Sequence, residues 1–121
     1  MKVAVSADGK NEEANIDDRF ARCPYFMIVD TDGMGFEALE NEDAEGAHGV
    51  APQVVQTLSE IEIDAVITKN LGPNGYRTLE SADIEVYKGS GKVLEAVEKL
   101  KNGELEEFKN ETVEGHFGKG R

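Results

Sequence analysis

A chain of 121 residues has the size of one domain that can bury a single core without covalent staples. Its one cysteine excludes an internal disulfide and a zinc site built from several thiolates. The 25 acidic residues against 13 basic ones leave a net charge of -12, a surface that repels phosphate backbones and makes nucleic acid a poor partner. No stretch approaches the roughly 20 apolar residues of a membrane helix, and the apolar run at the N-terminus is too short for a signal peptide. The expectation is a cytoplasmic protein without a membrane partner.

Val3 and Val5 alternate with small or polar neighbours and predict a first strand over 2–7. A polar loop over 8–15 and a turn around Asp17 to Arg22 lead to a second strand, Tyr25 to Asp30, and a third, Phe36 to Glu40. Asp32-Gly33 between them is a hairpin signal, because a tight turn needs positive φ values that these residues tolerate. The first half therefore reads as an antiparallel meander.

Val50, Val54, Val55, Leu58 and Ile61 recur at helical spacing, with Pro52 tolerated in the first turn. Residues 65–68 then read as a buried strand, 73–79 as a short helix and 84–87 as a last strand. Val93, Leu94, Val97 and Leu100 mark the apolar face of a final helix. Strand, helix, strand, helix, strand implies parallel pairing through right-handed crossovers, giving an α/β fold with a mixed five-stranded sheet covered by helices. One domain is expected over 1–105, followed by a polar tail over 106–121.

Charge is unevenly placed. Between Arg22 and Lys69 there are ten acids and no lysine or arginine, and a solvated face that keeps the protein soluble accounts for this. Gly89-Ser90-Gly91-Lys92 lacks the first glycine and the final hydroxyl of a phosphate-binding loop. Asp30-Thr31-Asp32-Gly33 lacks the calcium-loop spacing, and no serine nucleophile elbow occurs.

Three segments remain as site candidates. Cys23 lies in Arg19-Phe20-Ala21-Arg22-Cys23-Pro24, where neighbouring positive charge would lower the thiol pKa; the competing reading is a small buried hydrophobe. The turns around His48-Gly49 and Asn70-Leu71-Gly72 each open a helix whose N-H groups suit an anion, and the second follows a parallel strand, where ligands of open sheets sit. Ordinary turns, with glycine present for backbone geometry, explain both equally well.

Residues 19–26, the His48-Gly49-Val50-Ala51-Pro52 turn, Asn70-Leu71-Gly72-Pro73-Asn74-Gly75 and the strand end Val86-Tyr87-Lys88-Gly89, in that order and spacing, resemble the dinitrogenase iron-molybdenum cofactor biosynthesis family. The resemblance runs from Met1 to about Leu105. It implies a three-layer α/β/α fold whose five-stranded sheet carries a ribonuclease H-like motif. It also implies a non-enzymatic carrier, partnered by cluster-assembly proteins, that transiently binds an iron-sulfur or iron-molybdenum cluster or its precursor. On that reading Cys23 and His48 would ligate an exposed metal, Arg19 and Arg22 would offset cluster charge, and Gly49, Asn70 and Gly72 would lend backbone contacts. Ala21 and Ala47-His48 depart from a pattern often richer in glycine. Two other classes stay open: a cofactor-free regulatory or scaffold module, and a ribonuclease H-like metal-dependent nuclease centred on Asp8.

Overall fold

The computed structural model describes residues 1–44, 46 and 50–109. In chain order they form β1 (Lys2–Ala7), β2 (Tyr25–Asp30), β3 (Phe36–Glu40), α1 (Ala51–Glu60), β4 (Ala65–Thr68), α2 (Pro73–Ser81), β5 (Glu85–Lys88), α3 (Val93–Lys101) and β6 (Glu106–Glu107). One mixed sheet runs β3-β2-β1-β4-β5-β6. β1, β2 and β3 are antiparallel neighbours, as the meander predicts, and β1, β4 and β5 are parallel.

Central strands covered on both faces must be apolar on both. β1 is buried from Val3 to Ala7 and β4 throughout. On one face Val54, Val55 and Leu58 of α1 and Leu79 of α2 pack on Ala4, Phe26, Ile28, Val66 and Val86. On the other, Val93, Ala96 and Val97 of α3 pack on Val3, Val5, Met27, Val29 and Ile67. The layers are thus helix, sheet, helix.

The sheet has six strands, not the expected five. Two glutamates carry no apolar alternation, so the sequence pattern cannot reveal β6; it is held by antiparallel pairing with β5 and by buried Phe108, whose N-H donates to Val86 O at 2.9 Å. Glu106, Glu107 and Phe108, inside the stretch expected as a tail, therefore join the sheet, and residues 110–121 fall outside the described residues. The β2–β3 hairpin also differs in detail. Its left-handed residue is Met34 (φ 60°) rather than Gly33, because an Asx turn, in which Asp32 N donates to Asp30 Oδ1, and a bond from Met34 N to Asp30 O shape the loop.

All three helices stop in the same way. After α1, Glu62 N donates to Ser59 O and Ile63 N to Leu58 O; after α2, Asp83 N donates to Glu80 O and Ile84 N to Leu79 O. This is the Schellman closure, which wants a left-handed residue just past the cap. Gly103 fills that place after α3, but Glu62 (φ 63°) and Asp83 (φ 61°) fill it after α1 and α2. No helix among the described residues is long and apolar enough to cross a membrane.

Candidate functional site

Parallel pairing of Val5 with Ile67 sets the carboxyl ends of β1 and β4 side by side. What leaves or approaches those ends must share the space above them. After β1 the chain loops out, bridges Ile16 back to Ala7, and returns through residues 17–24 into β2. After β4 it turns through 69–72 into α2. The start of α1 reaches the same edge, and Phe20, Ala21, Arg22, Val50, Ala51 and residues 71–75 line one cleft of about 260 Å³.

The walls are tightly built. Phe20 meets Phe26 edge-on with ring centroids 5.7 Å apart. A Cβ on Gly75 would stand 3.0 Å from Leu71 Cδ1 and 3.4 Å from Phe20 Cδ2, so glycine lets the first turn of α2 close on both. Under the cleft, Ser6 and Thr68 are fully buried polar residues; Ser6 Oγ donates to Thr68 Oγ1 at 2.9 Å, and Thr68 Oγ1 reaches Asn70 O at 3.5 Å. This pair ties the two strand ends together.

Neither α1 nor α2 has a side-chain cap or an acid in its first turn, and each has proline there. α3, which does not line the cleft, also lacks a side-chain cap but carries Glu95 in its first turn. Uncapped N-termini free of carboxylates favour an anion.

The expected site residues divide. Gly72, the N-cap of α2 with an ordinary extended conformation (φ -77°, ψ 172°), lies in the cleft. Arg22 lines it too, but its Nη1 donates to Ala44 O (3.1 Å) and Gly46 O (2.7 Å), pinning the chain that leads to α1. Arg19 points elsewhere: Nε and Nη2 form a forked pair with Asp17 at 2.9 and 3.2 Å. Burial pushes the Asp17 carboxyl up, yet side-chain and backbone hydrogen bonds from Arg19 outweigh it and leave Asp17 below the usual range. Asn70 is exposed and does not line the cleft. His48 and Gly49 lie outside the described residues.

Cys23 reverses its electrostatic expectation. The thiol is fully buried, donates to Tyr25 O at 3.2 Å, and is pushed up to about 12, first by burial and with a contribution from the Asp17 carboxylate. Arg19 pulls the other way, but it is spent on Asp17 and is overcome. Among the described residues no three of His, Cys, Asp and Glu gather closely enough to hold a metal ion. Asp8, the nuclease candidate, is exposed and accepts the Asn15 N-H at 2.9 Å as a loop brace.

Sequence reasoning missed Asn41. Its Nδ2 donates to both Ala21 O and Cys23 O at 2.8 Å, its N-H to Pro24 O at 3.0 Å, and its Oδ1 accepts from Asp43 N at 3.2 Å. With Arg22 it clamps the 19–24 loop to the chain after β3. An asparagine directly after a strand is the only local sign of it.

The family model described as dinitrogenase iron-molybdenum cofactor matches residues 1–103. An uncharacterized protein of Methanocaldococcus jannaschii is 30% identical over 112 residues, 89% of this chain and 92% of that protein. A Thermotoga protein whose NMR structure is described as NifB-like is 40% identical with a TM-score of 0.81, covering 94% of this chain and 98% of its own. The apo form of the orange protein from Desulfovibrio gigas has a TM-score of 0.87 at 25% identity, over 93% and 96% of the two chains.

Proposed function

Because the chain belongs to the dinitrogenase iron-molybdenum cofactor family, we propose that it is a carrier rather than a catalyst. Its cargo is a preassembled iron-sulfur or iron-molybdenum type cluster, or a precursor of one, which it passes between cluster-assembly proteins. We read the order β3-β2-β1-β4-β5, with β2 antiparallel, as the ribonuclease H-like arrangement that the resemblance implies, β6 being an addition.

One observation carries the reading. Three segments distant in sequence, 20–22, 50–51 and 71–75, meet in one cleft beyond the carboxyl ends of parallel strands, where α2 begins with no side-chain cap and no acid in its first turn. The donor set fits a cargo that brings its own sulfide. No cluster of metal-ligating side chains is built among the described residues, and Cys23 is buried with its proton held. On this reading the cargo is held through its outer sulfide or oxo atoms, by the N-H groups of Asn74 and Gly75 at the start of α2 and the positive charge of Arg22, against the apolar walls of Phe20 and Leu71.

The test is anaerobic titration with a synthetic iron-sulfur thiolate cluster and, separately, tetrathiomolybdate, followed by desalting and absorbance of what stays bound. Wild type and Cys23→Ala retain the chromophore. Gly72→Asp loses it while keeping or raising stability, because an aspartate in that backbone conformation caps α2 and puts a carboxylate where the anion sits. Retention unchanged in Gly72→Asp overturns the site, and no retention by wild type leaves the cofactor-free regulatory reading in its place.

A further inference from the structure

Among the described residues nothing pairs with the outer edge of β3. β2 and β3 pair with Asp30 N donating to Gly35 O and Asn41 N to Pro24 O, so residues 35, 37, 39 and 41 turn their backbone groups toward β2. Antiparallel alternation then aims the N-H and C=O groups of Phe36, Ala38 and Glu40 away from the sheet. These six groups have no hydrogen-bond partner among the described residues, and Phe36 is 39% exposed. The other edge of the sheet is only the two residues of β6.

Beneath β3 the sheet is incompletely covered. Cavities of about 230 and 380 Å³ lie along the strand, the first between it and α1 against Leu39, Val54 and Thr57, the second past the end of α1 against Lys2, Ile28, Glu37 and Ile61. A strand added beside β3 would place every second side chain over this space, where Leu39 already joins the core. Charge identifies the occupant. Asp30, Glu37, Glu40, Glu42 and Asp43 line these cavities against one cation, Lys2, whose Nζ already donates to Ile61 O at 2.6 Å, so the edge is acidic on balance. A second copy pairing through the same edge would bring these acids against themselves, which native edges use to prevent self-pairing.

We propose that β3 is a β-augmentation site for an extended, lysine- or arginine-rich segment of a partner protein, with apolar residues at alternate positions. Main-chain bonds to Phe36, Ala38 and Glu40 supply the pairing, and the acids select the partner's charge.

The probe is the capped peptide acetyl-(Lys-Val)4-amide, followed by calorimetry and amide hydrogen exchange. Binding slows exchange of the Phe36, Ala38 and Glu40 amides at least tenfold, and the Glu-Val analogue does not bind. Ala38→Pro abolishes binding yet leaves exchange in β2 unchanged, since the N-H it removes faces outward. Glu40→Lys combined with Glu42→Lys, which touches no backbone donor, weakens binding at least tenfold. Equal affinity in wild type and Ala38→Pro would reduce the effect to diffuse charge attraction and overturn the proposal. Failure of wild type to bind would overturn it too, as would a wild-type dimer that Ala38→Pro dissociates, because the occupant would then be a second copy.

Discussion

Cys23 tests the electrostatics of the site most directly. Its thiol moves from an ordinary 9.0 to about 12 on burial. At pH 8 a thiol with the ordinary value is thiolate about one time in ten, whereas this one is thiolate about once in 10⁴, so alkylation by iodoacetamide should run roughly 10³-fold slower than in the urea-unfolded chain. The sign for stability follows from the same displacement. The folded state keeps a proton that the unfolded chain releases, so the contribution is fully present below pH 9 and is lost as pH rises toward 12. The slope is about 1.4 kcal/mol per pH unit, up to about 4 kcal/mol in all. Urea unfolding of wild type and Cys23→Ala at pH 8, 9, 10 and 10.5 isolates it. Tyr87, pushed up to about 12 chiefly by its bond to Glu85, loses stability in the same direction but cancels in the comparison. The difference between the two proteins should shrink by about 1 kcal/mol between pH 9 and 10. Parallel stability curves, or labelling of the native protein at the unfolded rate, would refute the account of a buried neutral thiol and restore an activated one.

Asn41→Ala strips the Ala21 and Cys23 carbonyls of a donor and should cost about 1–3 kcal/mol in urea denaturation. It should also speed Cys23 alkylation, which a change remote from the 19–24 loop would not do. Glu62→Gly and Asp83→Gly relieve left-handed backbone at exposed helix ends and should each stabilise by about 1 kcal/mol, read as a higher midpoint at unchanged denaturant slope. Leu58→Ala empties a fully buried position between α1 and the sheet and should cost about 2–5 kcal/mol in the same assay.

The strands and helices were legible because each buries one face or both, and burial imposes a period on the sequence. β1, β2, β3 and β4 lie where alternation and apolar runs place them. β6 escaped because Glu106 and Glu107 are exposed on both faces, and only backbone pairing and the anchor at Phe108 define it. The site was legible as three loops, but their meeting in one cleft depends on parallel pairing of β1 with β4. Charge near Cys23 was legible as well, and misleading. Sequence shows that Arg19 and Arg22 are close by, but not that Asp17 engages one and the Ala44 and Gly46 carbonyls the other.

On the proposed carrier reading, that diversion bears on how a chain with one thiol would hold a cargo. Were Arg19 and Arg22 free to stabilise a thiolate, Cys23 would offer one strong bond and little geometry. Burial holds the thiol neutral in spite of Arg19, and Arg22, committed to the chain before α1, keeps a cleft wall fixed. The proposed site of N-H donors and one arginine would bind through several weak contacts, each reversible without breaking a metal-thiolate bond. Release to a partner then needs only competition for those contacts. A partner segment paired along β3 would lie one strand from β2, whose entry loop carries Phe20 to Cys23, and its grip would bear on the Asn41 clamp directly beyond the strand.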